Sequence, residues 1–181
     1  MKRTIYSIGH SNRTIDAFLE LLIENEIEVL VDVRTFPMSR YNPQFNKSAL
    51  ENSLRHHGIE YLHLAALGGR RGKSNKNSHN DAWEHASFRN YADFAETEPF
   101  REGLNELIEL AKGKRTAYMC SEAVWWRCHR RIITDYLLTR GWQVLHIMAK
   151  GKTPEAELNA NAKPQSNGTI IYPAAQSCLE L

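Results

Sequence analysis

Short β-branched runs alternate with segments of helical periodicity along most of the chain, and this alternation constrains the fold more than any other feature. Strands are predicted at residues 4–8, 27–33, 59–64, 116–119 and 144–147. Helices are predicted near residues 15–23, 46–57 and 127–140, with one or two more within 87–110. Strands that alternate with helices pair in parallel through right-handed crossovers. The sequence therefore predicts an α/β fold: one domain over residues 1–181, with a mainly parallel sheet of about five strands and helices on both faces.

Three segments fall outside this alternation. Residues 68–80 form a polar, basic loop that is longer than an ordinary connection, so a functional or mobile segment is expected. Residues 149–168 are poor in large apolar groups and are predicted to be a polar surface segment. Residues 169–175, which contain Ile170, Ile171 and Tyr172, are expected to dock back as an edge strand.

Composition excludes several classes of protein. The 181 residues are 42% apolar and 24% charged, which is typical of a globular domain and unlike a disordered or fibrous chain. The net charge of +2 implies no polyanion partner by itself, so any basic site must be local. No apolar run approaches a membrane span, and the first residues lack a signal-peptide core. Three cysteines are too few for a disulfide framework, so a cytoplasmic protein with free thiols and no membrane contact is expected.

Reactive and anion-binding side chains follow four of the predicted strands. In an open parallel sheet, ligands bind at the carboxyl ends of the strands, so these groups are expected to meet at one edge. The opposite loops, near residues 24–27, 55–58, 112–114 and 139–142, carry mostly turn residues and surface charges. The strand-end groups are Gly9, His10, Ser11 and Asn12; then Asp32, Arg34, Arg40 and Asn42; then Gly68, Gly69, Arg70 and Arg71; and finally Cys120 and Glu122.

Cys120 is the candidate nucleophile or acid/base thiol. It ends the fourth strand just before a helix predicted to begin near Trp126, and a helix N-terminus favours a thiolate. Arg127 and His129 add positive charge, and Glu122 is placed to carry a proton or to bind the helix N-terminus. The alternative is a small buried residue that closes a strand. Six residues separate Cys120 from Arg127, one more than in the cysteine phosphatase and rhodanese-like signature.

A metal site is a further alternative for the same cysteine. Cys120, Cys128, His129 and His10 are ligand types, but structural zinc sites usually contain closely paired cysteines in two clusters. No metal or other cofactor is therefore predicted. Cys128 is expected to pack inward, while His129 and Arg130 lie at the edge of the pocket or pair with a carboxylate.

His10 and Asp32 form a second candidate catalytic pair. His10 is placed to act as a general base or a phosphate donor, with Ser11 and Asn12 beside it as ligand-binding groups or as part of a helix-capping turn. Asp32 and Arg34 lie on one side of a buried strand, where charges are usually paired. Asp32 is expected either to orient His10 or to form an internal salt bridge.

Glycine and arginine are concentrated in the third strand-end loop. Glycines permit close approach of the backbone, and arginine forks match phosphate, so Gly68–Arg71 with Lys73 and Lys76 indicate an anion site; a solvated loop is the alternative. Arg34, Arg40, Arg70, Arg71 and Arg127 together would make a strongly positive pocket. The residues expected to hold the anion are Arg34, Arg70, Arg127 and Arg130. The aromatic residues near these loops are suited either to base stacking or to core packing; they are Tyr41, Phe45, Trp83, Trp125 and Trp126.

The order of these motifs resembles the domain-of-unknown-function family 488. The similarity rests on residues 4–12, on 31–34 continuing through Pro37, Ser39, Arg40, Asn42, Pro43, Phe45 and Asn46, on Leu67-Gly68-Gly69, on Cys120-Ser121-Glu122 with Cys128-His129-Arg130-Arg131, and on Ile171-Tyr172-Pro173. The resemblance covers nearly the whole chain. It implies a bacterial or archaeal compact α/β domain and no particular activity. The bulk of Trp125 and Trp126 departs from the pattern and is expected to reshape the mouth of the pocket.

The residues together predict an enzyme that hydrolyses, or transfers a group of, a phosphate-bearing small molecule or nucleic acid. Cys120, Glu122, His10 and Asp32 are its expected catalytic residues. The alternatives are a non-catalytic nucleic-acid-binding domain on the same basic edge and, less favoured, a structural zinc protein.

Overall fold

Five parallel strands form the central sheet of the computed structural model, which describes residues 3–72 and 77–174. Their spatial order is β3-β2-β4-β1-β5, and every neighbouring pair is parallel. The α/β class and the strand positions predicted from the sequence are confirmed. The strands are β1 (Thr4–Gly9), β2 (Val29–Asp32), β3 (Glu60–His63), β4 (Thr116–Cys120) and β5 (Gln143–Ile147).

Helices form where apolar residues recur at helical spacing between good end signals. Thr14 caps the first helix by accepting a hydrogen bond from the Ala17 amide at 3.2 Å. Pro99 lies in the first turn of a later helix, where its missing N–H costs nothing. Gly58 follows α2 with φ of 71°, a conformation that ends helices. The helices are α1 (Ile15–Glu24), α2 (Lys47–Arg55), α3 (Ala86–Ala95), α4 (Glu98–Gly113) and α5 (Arg130–Thr139).

The sheet is covered on both faces, as predicted. Leu30, Ala117 and Met119 pack with Phe18 and Leu50 in the layer that contains α1 and α2. The alternate strand positions face the other way, where the core side chains include Val31, Val33, Tyr118 and Cys120 with residues of α3, α4 and α5. Burial on both faces explains why the inner strands β2 and β4 are buried throughout, whereas the edge strand β3 is partly exposed.

The order of the strands opens a crevice at the carboxyl end of β4. The helices that follow its two neighbours, β1 and β2, lie on one face, whereas α5, which follows β4, lies on the other. A change of face between neighbouring strands is the usual position of a ligand site in an open α/β sheet.

Two local predictions differ from the structure. The helix expected to begin near Trp126 begins at Arg130, because Trp125–Arg127 forms a separate turn of 3₁₀ helix. Ile170–Ile171 forms a two-residue strand, β7, that pairs antiparallel with β6 (Lys163–Pro164) and not with the five-stranded sheet. Side chains in 149–168 are mostly exposed, although Ala156 and Ala162 are buried.

Part of the basic loop and the end of the chain fall outside the structural description. Lys73 and Lys76 of that loop and the third cysteine, Cys178, lie beyond the described residues. Within the described part of the chain, no helix has both the length and the apolar character needed to cross a membrane.

Candidate active site

A cavity of about 440 Å³ lies at the carboxyl end of β4. The loops after β2, β3 and β4 and the beginning of α3 form its walls. The crevice expected from the strand order is therefore a real concavity, of a size suited to a small ligand. Its lining residues are Arg34, Thr35, Phe36, Met38, Ser39, Gly69, Arg70, Ser87, Phe88, Cys120, Ser121, Glu122, Arg127, Cys128 and His129.

Cys120, Cys128 and His129 form one group in this cavity, which we call the sulfur cluster. The Nε2 atom of His129 lies 3.0 Å from the Val33 carbonyl oxygen, so it must carry the proton and donate it there. In the neutral ring, Nδ1 is then left with its lone pair, 3.8 Å from the sulfur of Cys120 and 3.6 Å from that of Cys128. The imidazole therefore presents an acceptor beside two buried sulfur atoms, and only a protonated sulfur can donate to it.

Arg130 supplies the positive charge next to the sulfur cluster. Its side chain is 1% exposed and donates to Ser7 Oγ at 3.0 Å, to the Glu122 carbonyl at 2.6 Å and to Cys128 Sγ at 3.5 Å. The Arg130 backbone N–H, at the start of α5, also lies 3.5 Å from Cys128 Sγ. Because a buried cation needs a compensating charge, Cys128 as a thiolate is the ionisable partner among these contacts. The later start of α5 thus directs its N-terminus to Cys128 rather than to Cys120.

The pKa values of the two cysteines are shifted in opposite directions. Burial alone would raise the pKa of Cys128, but the hydrogen bond from Cys120 and the charge and N–H groups of Arg130 outweigh it and lower the pKa from 9.0 to about 6. The hydrogen bond to Cys128, followed by burial, raises the pKa of Cys120 to about 12. The two thiols therefore share a proton, and the contacts of Arg130 with Cys128 favour Cys128 as the thiolate of the pair.

The sulfur cluster is also close enough to bind one metal ion. Its three ligand atoms lie within 4.8 Å of one another. A tetrahedral zinc ion with ordinary bond lengths would hold sulfur and nitrogen ligands about 3.6 Å apart. The carbonyl that fixes the His129 tautomer is a typical outer partner of a metal-bound histidine. The donor set thus fits a metal with one coordination position open to the cavity.

Asp32, Arg34, Tyr61 and His10 form a second group at the same edge, which we call the carboxylate cluster. The Asp32–Arg34 salt bridge left open by the sequence is present, with Nη2 to Oδ2 at 2.6 Å and Nε to Oδ1 at 2.9 Å. The Tyr61 hydroxyl donates to Asp32 Oδ2 at 2.8 Å, and Arg34 also donates to the Phe45 carbonyl at 2.8 Å. Asp32 is fully buried, so these hydrogen bonds replace its hydration.

His10 contacts Arg34 rather than Asp32. Its Nδ1 lies 2.8 Å from the Ser11 carbonyl, which requires a proton there, and its Nε2 accepts from Arg34 Nη1 at 3.3 Å. The ring stacks on Phe45 with centroids 4.2 Å apart, and burial, with Arg34 opposing protonation, lowers the pKa of His10 to about 4. The structure thus separates His10 from Asp32 by an arginine, unlike the expected base–orienter pair.

Two arginines extend into solvent at the mouth of the cavity. Arg70 and Arg127 are both exposed and line it, and the Arg70 guanidinium lies 5.8 Å from the Phe36 ring. Arg71 is engaged elsewhere, since it donates to the Gly68 and Ala66 carbonyls and lies over the Phe94 ring at 3.4 Å. Fewer arginines therefore line the cavity than the sequence predicted, since only Arg34, Arg70 and Arg127 of those singled out do so.

The structure brings together about half of the residues singled out from the sequence. Cys120, Glu122, Arg34, Gly69, Arg70, Arg127 and His129 all line the cavity. The others lie outside its lining: His10, Ser11, Asn12, Asp32, Arg40, Asn42, Gly68, Arg71 and Arg130.

Sequence reasoning underrated Cys128 and missed part of the wall. Cys128 was expected to pack inward; it is 3% exposed and yet lines the cavity. Its place beside Arg130 at the start of a helix was the available signal. Thr35, Phe36 and Met38 directly follow a strand and were within reach of the same reasoning. Ser87 and Phe88, at the start of α3, carried no such signal.

Two glycines are required by close contacts around the site. A Cβ at Gly9 would lie 1.8 Å from the Glu122 carbonyl oxygen, and one at Gly69 would lie 2.5 Å from His129 Nδ1. The bare backbone at these positions lets β1 pack under the β4 loop and lets the third loop approach the imidazole.

One sequence family matches the chain. The family described as Domain of unknown function DUF488 matches residues 14–137, which is more than half of the chain and includes both clusters apart from His10. No curated protein and no solved structure matches.

Proposed function

Because the chain belongs to the DUF488 family, a domain of unknown function, its activity has to be inferred from the site, and we propose that it is an enzyme acting on a phosphate-bearing ligand. The ligand is a nucleotide or a nucleic acid, and the reaction is hydrolysis or group transfer. The cavity at the end of β4 is the reaction site, and the sulfur cluster is its reactive centre.

One observation carries this proposal: Cys128, the ionisable partner of the buried Arg130 guanidinium, lines a cavity with two exposed arginines at its mouth. A thiolate stabilised by a fixed cation is the usual form of a nucleophilic cysteine. Arg70 and Arg127 are suited to neutralise the oxygen atoms of a phosphate group that enters.

The residues take the following roles. The Cys128 sulfur attacks phosphorus, so that an S–P bond forms while the bond to the leaving oxygen breaks. Glu122, in the cavity wall, gives that oxygen a proton. Water then attacks phosphorus and gives a proton back to Glu122, so that an O–P bond forms while the S–P bond breaks and restores the thiolate. The product released is phosphate from a monoester or a phosphorylated end from a nucleic acid; an acceptor alcohol in place of water gives transfer. Cys120, first expected as the nucleophile, keeps the shared proton and supports the thiolate.

The test compares two substitutions of equal size across a panel of phosphomonoesters, nucleotides and oligonucleotides. Cys128→Ser is expected to lower turnover at least 100-fold, and Cys120→Ser to lower it far less. Unchanged turnover by the Cys128→Ser protein would remove the thiolate mechanism. Loss with Cys120→Ser alone would restore the assignment made from the sequence.

A second candidate role, a zinc site, is favoured by the spacing of the ligand atoms in the sulfur cluster. Under this alternative, both cysteines and His129 bind the ion, and neither thiol is free to attack. Elemental analysis of protein purified without chelator separates the two: about one zinc per chain, lost on Cys120→Ser and on Cys128→Ser alike, would replace the thiolate mechanism. Trace zinc together with rapid alkylation of Cys128 supports the enzyme with a free thiolate.

The non-catalytic nucleic-acid-binding domain stays the other alternative. It predicts affinity that falls steeply with salt and does not depend on either cysteine. Absence of turnover across the panel, with binding unaffected by Cys128→Ser, would favour it.

A further inference from the structure

We infer that the ligand is a single-stranded nucleic acid, with one base stacked on Trp126 in a second cavity and the adjoining phosphate on Arg127, between that cavity and the sulfur cluster. The inference rests on the proposed function, because it specifies the ligand of the same site. It follows from the neighbouring cavity, from two tryptophans with different surroundings, and from the charges along the surface that joins them.

The second cavity adjoins the first. It has a volume of about 350 Å³ and shares Phe88 and Arg127 with the lining of the first cavity. Its other walls include Trp83, Trp126, Arg131 and, from the polar surface segment, Asn159 and Asn161. Arg127 therefore borders both concavities, so a phosphate bound to it would adjoin the sulfur cluster on one side and a base in the second cavity on the other.

Trp126 has the character of a stacking platform. Its neighbour Trp125 stacks on the buried His146 ring, with centroids 4.3 Å apart and an angle of 7° between the planes. Trp125 therefore anchors the 3₁₀ turn, while Trp126, which meets Trp125 only edge-on, remains 45% exposed. An exposed indole held on an anchored turn offers a face on which any base can stack.

The charge of the second cavity suits an anionic ligand with an aromatic part. Arg127 and Arg131 both line it, and the Arg131 guanidinium lies 4.9 Å from the centre of the buried Trp83 ring. Glu84 is the opposing charge in the wall, so two cations face one anion. The amide groups of Asn159 and Asn161 are hydrogen-bonding groups suited to the edge of a base.

The exposed surface is longer than a single nucleotide needs. Phe36 and Met38, which line the first cavity, are 62% and 74% exposed, and Tyr41 in the same loop after β2 is 87% exposed. With Trp126, they make up four of the six large apolar side chains exposed in residues 3–72 and 77–174. Unpaired bases can stack on such exposed side chains, whereas the flat faces of the bases in a duplex are already covered by the neighbouring base pairs. The strand is therefore expected to cross the first cavity and bring a phosphate to Cys128.

The experiment measures binding of fluorescein-labelled 12-mers of oligo-dT and oligo-U by anisotropy, with the matching duplexes and with thymidine monophosphate as competitor. Both the wild-type protein and Cys128→Ser are used, so that binding is observed without turnover. We expect single strands to bind at least 10-fold more tightly than duplexes or the monophosphate. A comparison of oligo-U with oligo-dU, which differ only at the 2′ position, identifies the sugar preferred.

Two variants and their matched controls locate the contact. Trp126→Ala is expected to weaken strand binding about 5- to 150-fold, the range for one stacked base, while Leu158→Ala, a similarly exposed apolar residue, leaves it unchanged. Arg127→Gln is expected to reduce the slope of log affinity against log salt by about 0.7, the value for one phosphate contact on a single strand. Arg55→Gln, the same charge change on exposed α2, leaves the slope unchanged.

The outcomes separate this inference from the proposed function. Turnover of small phosphate esters that needs Cys128, without preferential strand binding, would overturn the inference and keep the enzyme. Strand binding that needs Trp126 and Arg127, without any turnover, would keep the inference and overturn the enzyme. Tighter duplex binding, or strand affinity indifferent to Trp126→Ala, would show that the second cavity holds no base.

Discussion

The carboxylate cluster and the sulfur cluster lie at the same edge of the same sheet, and they differ in how completely their polar atoms are bonded. In the carboxylate cluster, the charges of Asp32 and Arg34 cancel, and Tyr61, a backbone carbonyl and His10 take up further bonds. In the sulfur cluster, the contacts of 3.5–3.8 Å are ordinary lengths for hydrogen bonds to sulfur, but both sulfurs and His129 also line a cavity. A cluster whose polar atoms are hydrogen-bonded to one another stabilises the fold, whereas a cluster whose reactive atoms also border a cavity is able to bind a ligand.

Charge balance produces the same contrast. Arg34 is neutralised by a carboxylate that is bonded on both of its oxygen atoms. Arg130 depends on a thiol, whose pKa is lowered by the hydrogen bond from Cys120 and by the charge and N–H groups of the arginine. A cation paired with a carboxylate makes a permanent structural link, but a cation paired with a thiol makes a nucleophile.

The largest expected effect is the loss of the carboxylate cluster. Asp32→Ala leaves the buried Arg34 guanidinium without its counter-charge, which typically costs about 3–5 kcal/mol of unfolding free energy. For a chain of this length, Tm is expected to fall by roughly 6–20 °C in a thermal melt. The control is Asp16→Ala, a change at an exposed residue of α1, which should change Tm by less than about 2 °C. Equal small shifts for both variants would mean that the cluster is not structural.

A smaller loss is expected from the hydroxyl that completes the carboxylate cluster. Tyr61→Phe removes one donor to a buried carboxylate, and such bonds contribute about 1.5–3 kcal/mol. Urea denaturation of this variant and of Tyr41→Phe, whose ring is 87% exposed, measures the difference. A shift no greater than that of Tyr41→Phe contradicts the closed character of the cluster.

The sulfur cluster is expected to respond to pH rather than to lose stability. Since the pKa of Cys128 is lowered to about 6, the thiolate dominates above pH 6 and is lost below it. Alkylation by iodoacetamide should therefore be about 10-fold faster at pH 7 than at pH 5, after correction for the reagent. The control is Cys128→Ser, in which this fast phase is absent.

A midpoint near pH 9 would remove the contrast between the clusters, because Arg130 would then not hold a thiolate. A fast phase that survives Cys128→Ser and disappears in Cys120→Ser would assign the thiolate to the other cysteine.

The smallest effect tests the contact between the third loop and the imidazole. A Cβ at Gly69 would lie 2.5 Å from His129 Nδ1, so Gly69→Ala should displace the ring from the two sulfurs and change the alkylation rate at pH 7 a few-fold. Gly72→Ala meets nothing within 4 Å and is the control. Identical rates in both variants would show that the ring position does not affect the thiols.

Patterns local in sequence predicted the fold well. The five strands are short apolar or alternating runs separated by helical segments, so their positions and parallel pairing follow from periodicity and connection length. Convergence of the strand-end loops also follows, because parallel strands end at the same edge. The two-residue period of a strand was enough to predict that Asp32 and Arg34 lie on one side of their strand and Val33 on the other.

The details of the site depend on the order of strands and on packing, which local patterns do not contain. The position of β4 between β2 and β1 decides that Arg34, and not Asp32, lies against His10. The 3₁₀ turn at Trp125, stacked on His146 from a different strand, delays α5 and so selects Cys128 as the anion. Neither contact is visible before the chain is folded.

The fit of Gly9 beneath the Glu122 carbonyl fixes one side of the cavity mouth. That carbonyl also accepts from Arg130, and the Ser121 carbonyl accepts from the Ser11 amide at 2.9 Å, so the loop after β4 is held from two directions. Phe36 and Met38, which also line the cavity, are exposed to solvent. A covalent inhibitor that reacts with the Cys128 sulfur should therefore carry a substituent that contacts Phe36 and Met38. Its potency should depend on how well that substituent fits these two side chains.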